Sequence, residues 1–279
     1  MRALDPEVID AVWAAFEPLV PVPDSIHPLG CHNPRKSDRL AFDVILTRLV
    51  TGCSWVDAEA LTGRKVSDTT VRARRNEWIE HGVFRQLELE AKDAYDTIIG
   101  LDLSETALDG STHKAPCGGE GTGPSPVDRA KSGYKWSIIT DAKGIPLGWA
   151  LAGANRNDCM LLTPTLADAV MRGTLDDIET LHLDKGYDSK VSREICRNMG
   201  IDDAVIAKKR KPGTPEAKKP LTLGLRWPVE RTNSWFSNFG QLRRNTDRKS
   251  CQRLAQFGLA FVFLITAKLI DWRNRWDPR

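Results

Sequence analysis

The chain has 279 residues, 41% of them hydrophobic and 28% charged. That length holds one large domain or two ordinary ones, and the composition excludes disorder or collagen-like repetition for the bulk of the chain. The formal net charge of +3 is unevenly spread: residues 1–200 carry 23 basic and 30 acidic side chains, residues 201–279 carry 17 and 7.

The first ~100 residues read as helices. Val8, Ile9, Val12, Trp13 and Phe16 recur at helical spacing up to Pro18, and a Pro/His/Gly-rich loop fills residues 21–34. Ser37 can cap a helix carrying Val44, Ile45, Leu49 and Val50 on one face and ending at Gly52. Ser54 can cap a shorter helix ending at Gly63, and Ser67 a third that closes near Gly82. Short helix, brief turn and capped helix form a helix-turn-helix pattern. The third helix would display Thr69, Thr70, Arg72, Arg74 and Arg75 near its start, residue types that suit phosphates and base edges. Many three-helix clusters bind no DNA, and this segment is net acidic.

After Asp96 the pattern changes. Thr106 to Gly110 reads as a short strand ending in a turn, and Pro116 to Pro126 as a loop. Tyr134–Thr140 and Ile145–Leu151 read as a hairpin about Asp141 to Gly144. A helix is predicted from Cys159 to about Met171, a strand over Ile178–Asp184, a helix from about Lys190 to Met199 and a strand over Ala204–Ala207. The basic loop Lys208 to Leu225 follows, then a helix with Pro228 in its first turn. A hairpin followed by alternating strands and helices predicts a mixed α/β sheet. Leu254 to Ala267 is strongly apolar over 14 residues, short of the ~20 that a bilayer span needs, so a buried helix is expected.

The six cysteines include no C-x-x-C pair, and the first residues form no apolar signal segment. Reduced thiols and a cytosolic location are therefore expected. His27, Cys31 and His32 cluster, but no second cluster at zinc spacing follows. The window from Lys208 to Arg253 holds 13 basic and 3 acidic residues. It suits an anionic partner, nucleic acid first, although a solvated lysine-rich loop accounts for the charge equally well.

Asp109 and Asp184 end predicted strands, where ligands bind in open sheets, and Glu230 lies in the first turn of its helix. Each alone has an ordinary explanation in turn or helix-end chemistry. Together on one face, three carboxylates repel unless a cation neutralises them. Hard oxygen ligands select Mg²⁺ or Mn²⁺, and two such ions can hold the attacking and leaving oxygens of a phosphoryl displacement.

At these residues the chain resembles DDE-type transposases of bacterial insertion sequences, in the broad group of the IS-four and IS-five families. The matching segments are Leu108 to Ser111, Pro124 to Lys135, Asp141 to Pro146, Gly153 to Asp158, Leu183 to Asp188, Arg226 to Trp235 and Gln241 to Asp247. Thr51 to Trp55, and Trp78 with His81 to Phe84, are similar to the N-terminal module of the same proteins. The resemblance implies a ribonuclease-H-like catalytic fold with Asp109, Asp184 and Glu230 as catalytic metal ligands and Mg²⁺ (or Mn²⁺) as cofactor. It implies a helical DNA-binding module over residues 1–98 and a catalytic domain over 99–279. Arg226 matches the arginine of the family signature, but Leu223 and Ser237 stand where that signature has tyrosine and lysine. Lys218, Arg231 and Arg243 are the residues to which those roles could pass. Asp184 and Glu230 are 46 positions apart, so no large inserted domain fits between them.

Expected partners are double-stranded DNA, as terminal repeats and target, and further copies of the chain, since two ends must be paired. The expected DNA contacts are Arg72 and Arg75 in the N-terminal helices and Lys208, Lys209, Arg210, Arg226, Arg231, Arg243 and Arg244 in the basic window. Lys131, Lys135, Lys185 and Tyr187 are further candidates for contact with a strand. His113 reads as a structural histidine, Asn157 and Asp158 as helix caps, and Trp227, Trp235, Phe236 and Phe239 as core or groove wall. Two rival functions are a ribonuclease-H-like nuclease without strand transfer and a non-catalytic DNA-binding protein derived from a transposase.

Overall fold

The computed structural model describes residues 3–22, 35–208 and 225–276. In chain order the elements are helices α1 (Pro6–Phe16), α2 (Asp38–Thr51), α3 (Trp55–Leu61), α4 (Asp68–Glu80) and α5 (Val83–Ile98). Then come strands β1 (Glu105–Lys114), β2 (Gly123–Pro124), β3 (Ser132–Thr140) and β4 (Pro146–Gly153), helix α6 (Cys159–Met171) and strand β5 (Thr180–Leu183). Helix α7 (Lys190–Asn198), strand β6 (Asp203–Ile206) and helices α8 (Trp227–Ser237), α9 (Gly240–Arg243) and α10 (Ser250–Trp276) complete the chain. They form two compact units, one of residues 1–99 with 236–279, the other of residues 100–235.

The helical unit follows its capping signals. Asp5 accepts from the Glu7 backbone at 3.1 Å with Pro6 at the first helical position, Ser54 caps α3 and Ser67 caps α4. Ser37 occupies the capping position of α2 but makes no side-chain cap. Gly52 closes α2 with φ near +77°, the left-handed conformation that glycine tolerates. The core is aromatic: Phe16 meets Trp78 at 4.9 Å and Phe42 at 5.1 Å. Helix α10 runs 27 residues, and Phe257, Phe261 and Phe263 on it are fully buried, with Phe263 stacked on Phe42. The apolar segment around Leu254–Ala267 is thus a core helix, as expected, and is extended at both ends.

That helix also corrects the expected division of the chain. A break falls at 99/100, next to the expected 98/99, but residues 236–279 group with the N-terminal helices. The physical reason is burial: α1 and α5 carry apolar faces that need cover, and α10 supplies it.

The second unit is a six-stranded mixed sheet. Strands β2, β3, β1, β5 and β6 follow one another in that order, with β4 also on β3. The β4–β3–β1 part is antiparallel, while β5 and β6 run parallel to β1. With helices against it, this is the ribonuclease-H-like arrangement that the resemblance implies. Helices α6 and α7 cover a face built from Leu108, Ile139, Leu147, Leu181 and Leu183. Residues one step along, such as Asp109, Trp136 and Ile138, point to the opposite face. There the Trp136 indole donates to Asn233 of α8 at 2.8 Å.

Strand β1 differs from its expected form. Asp109-Gly110 is not a turn, because β1 continues to Lys114 in register with β3. Gly110 answers a close approach instead: a Cβ there would lie 2.6 Å from the Asp158 carboxylate. At the β3–β4 turn, fully buried Asp141 accepts backbone N–H groups of Lys143, Ile145 and Asp102, at 2.9, 2.7 and 3.2 Å.

A candidate carboxylate active site

Parallel pairing of β1 and β5 sets the first part of the site. Leu108 stands opposite Leu183, so the next residues, Asp109 and Asp184, lie side by side where β5 ends. Adjacent strands are about 4.8 Å apart, which brings the two charges close. Asp184 caps the 3-10 turn Lys185–Tyr187, accepting from Gly186 N–H at 2.7 Å. Asp109 accepts from Gly110 N–H at 2.8 Å. Burial pushes the Asp109 carboxyl above its ordinary value, and the Asp184 charge pushes the same way; the Gly110 N–H and Arg226 oppose them.

Helix α8 supplies the rest. Glu230 lies one turn from Arg226, and the Arg226 guanidinium is 3.3 Å from Asp109 and 3.5 Å from Glu230. Arg226 therefore holds a strand carboxylate and a helix carboxylate together. Among the described residues no three His, Cys, Asp or Glu side chains stand close enough to form a ready-made metal site. The donor set nonetheless fits a hard divalent cation in kind, since all three groups offer carboxylate oxygen. Two of them already share one positive charge, and Asp109 carries the raised pKa that a cation would relieve.

Sequence reasoning did not single out a fourth carboxylate. Asn157 or Asp158 was expected to cap α6; Asp158 stands at the capping position without a side-chain cap bond, and Asn157 accepts from Cys159 N–H at 3.3 Å. The Asp158 carboxylate instead receives Lys135 Nζ at 2.7 Å and sits over Gly110. Lys135 also donates to the Arg156 carbonyl and is buried. Tyr187 is fully buried, which removes it as a contact to a DNA strand, while Lys185 is exposed. Lys131 is exposed as well. His113 stacks on Trp136 at 3.5 Å and hydrogen-bonds Ser111, a structural role as expected.

The expected DNA contacts divide. Arg243, Arg244 and Lys208 are exposed, and Arg72 is exposed while pairing with Asp68. Arg75 is corrected: it is 3% exposed and bonded to Asp247 at 3.1 Å, so it is a buried ion-pair partner and not a surface contact. Arg74 is likewise buried, against Asp38 and Glu77. Arg226 is engaged with the carboxylates. Arg231 donates to the Lys143 carbonyl and lies over Trp227 and Trp235, at 4.4 and 4.7 Å. Of the four α8-region aromatics, Phe236 and Phe239 are core, Trp235 is half-buried and Trp227 is exposed. Lys209, Arg210, Lys218, Leu223 and the His27, Cys31, His32 cluster lie outside the described residues.

Known proteins match this chain in two segments. A family of transposases of the IS4/5 group matches residues 8–88, and the transposase DDE domain family matches residues 100–265. A protein named as the transposase for insertion sequence element IS402 of Burkholderia cepacia is 38% identical over 135 residues, 46% of this chain and 61% of that protein. The transposase for insertion sequence element IS1106 of Neisseria meningitidis serogroup B is 32% identical over 136 residues, 47% of this chain and 42% of that protein. The chain thus spans about half the length of these relatives. Among solved structures, a pre-cleavage Mos1 transpososome aligns over 89% of this chain and 79% of that one, at 9% identity and a TM-score of 0.31. The Mos1 mariner paired end complex with Mn aligns over 88% and 79%, at 10% identity and a TM-score of 0.32. The fold assignment rests on the strand order described above.

Proposed function

We propose, from the premise that the chain belongs to the transposase DDE domain family, that it cuts DNA at the ends of an insertion sequence and joins the freed ends to target DNA. The observation that carries the reading is the convergence, where β5 ends in the middle of the sheet, of Asp109, Asp184 and, through Arg226, Glu230. A structural protein has little use for adjacent ionised carboxylates, one of them desolvated, whereas metal-assisted phosphoryl transfer needs such a set.

Asp109, Asp184 and Glu230 would hold divalent cations, Mg²⁺ with Mn²⁺ as a substitute. Such cations lower the pKa of water and neutralise charge developing on a phosphoryl oxygen. The residues of the chain do the positioning. β1 and β5 fix the two aspartates on rigid strands. Arg226 offsets the negative charge between Asp109 and Glu230 and must give way on one side when cations are held. Lys135 pairs with the Asp158 carboxylate at 2.7 Å.

Water attacks a phosphodiester at the element end, which leaves a 3′-hydroxyl and a 5′-phosphate. The 3′-hydroxyl then attacks a target phosphodiester, forming one new bond and displacing the target 3′-oxygen. No covalent protein–DNA intermediate is needed. Because two ends must be paired, the working form is a dimer or larger assembly on DNA.

The test uses duplex ends of the parent element, pre-cleaved to expose the 3′-hydroxyl, with Mg²⁺ and a target plasmid. Joined product is expected. Hydrolysis with no joined product would favour the nuclease reading instead.

A further inference from the structure

Inside the helical unit lies a cavity of about 530 Å³, within the size range of ligand sites. Its walls come from the end of α2 and start of α3, from one face of α4, and from the segment joining α9 to α10. Arg48, Arg72, Arg75, Arg244, Arg248 and Lys249 line it, and Asp247 is its sole acidic lining residue. The cavity is therefore strongly cationic. It joins residues about 170 positions apart in the chain, from the helix-turn-helix-like segment and from the basic window.

The floor is charge-unbalanced. Arg48 and Arg75, both nearly fully buried, share the one carboxylate of Asp247, each at 3.1 Å. Both guanidinium groups also lie over the Trp55 ring, at 4.2 and 5.0 Å. Burial pushes the Arg48 guanidinium down, and its Nε has no hydrogen-bond partner among the described residues. A buried positive charge in excess and an orphaned buried donor both favour an anion at this place. Arg244, Arg248 and Lys249 at the mouth are exposed and make no ion pair among the described residues. Asn76, Ser54, Thr246 and Gln252 add neutral hydrogen-bonding groups between the cations. Charged and uncharged donors side by side are the composition of a phosphate-backbone contact, and only Trp55 among the lining residues is large and apolar.

We infer that this cavity is a docking site for the phosphate backbone of duplex DNA, positioning the double helix on the helical unit independently of sequence. The inference rests on the DNA-transposase reading and gives it a second place of contact, apart from the carboxylates. It also makes one surface of two segments that the sequence presented as separate, an N-terminal module with net negative charge and a C-terminal basic window.

The experiment compares the wild-type chain with the triple variant Arg244→Gln, Arg248→Gln, Lys249→Gln, both as full chains. Binding to an element-end duplex and to an unrelated duplex is followed by fluorescence anisotropy over a range of KCl. Each lost phosphate contact should flatten the plot of log affinity against log salt by about 0.9, so the triple variant should lose about 2 to 3 from the slope, equally on both duplexes. Its melting temperature should stay at the wild-type value, since the three side chains are exposed. Half-buried Cys53, which lines the cavity, serves as a local probe. Saturating DNA should slow its maleimide modification in the wild type. A wild type that binds and cuts DNA, with the slope kept in the triple variant and Cys53 unprotected, overturns the docking site alone. A wild type that binds no duplex DNA overturns both this inference and the function on which it rests.

Discussion

Four residues beyond Asp109, His113 shows how one half-buried side chain sets a pH limit. Burial pushes its imidazole down to about 3, where it stacks on Trp136 as a neutral ring. In the unfolded chain the ring protonates below about 6.5. The stability it contributes is therefore complete above that value and is lost as pH falls toward 3, at about 1.4 kcal/mol per pH unit. His113→Gln should remove this dependence. In urea unfolding, the stability of the wild type relative to the variant should fall by about 3 kcal/mol between pH 6.5 and about pH 4; a constant difference would contradict the assignment. Asp109, Asp184 and Glu230 could be picked out in the sequence as candidates, from the ends of predicted elements and from the family resemblance. The Lys135–Asp158 pair and the burial of Arg75 could not. They depend on strand register and on a partner, Asp247, that is 172 residues away from Arg75.

Between elements, close packing of backbones replaces side-chain contact at one point in the helical unit. Gly52 ends α2 and Gly240 begins α9, and a Cβ on Gly240 would lie 2.5 Å from the Thr51 carbonyl. Backbone on both sides cannot yield as a flexible side chain would. Gly240→Ala should cost about 1 to 3 kcal/mol by overpacking. Chemical denaturation measures this directly, and an unchanged midpoint would show that α2 and α9 are not held at this distance. Most elements were readable, most plainly where periodicity and caps agreed, as in α3 and α4. The misread element was β1, where an Asp-Gly pair signals a turn locally while the ladder to β3 holds the strand extended to Lys114. Tertiary pairing overrode the local signal.

For the whole molecule, length and composition left one domain or two open, and the structure divides the chain into residues 1–99 with 236–279 and residues 100–235. The run of apolar residues in α10 foretold a buried helix without telling which surface it would bury, because hydrophobic burial has no direction. In the structure that helix belongs to the N-terminal helices. The segment preceding α10 thereby joins its cations to those of α2 and α4. The near-neutral net charge of +3 thus contains a concentrated cationic cavity in one unit and a carboxylate cluster in the other. The account separates holding DNA from cutting it, and the two should come apart in a single variant. Asp184→Asn removes a charge from the carboxylate cluster and touches no residue of the basic cavity. The most direct measurement maps cleavage at the element ends in Mg²⁺ for the wild type and for Asp184→Asn, with end binding measured on the same preparations. The account predicts that the variant binds the ends with wild-type affinity and cuts nothing. Wild-type cleavage by Asp184→Asn would contradict it.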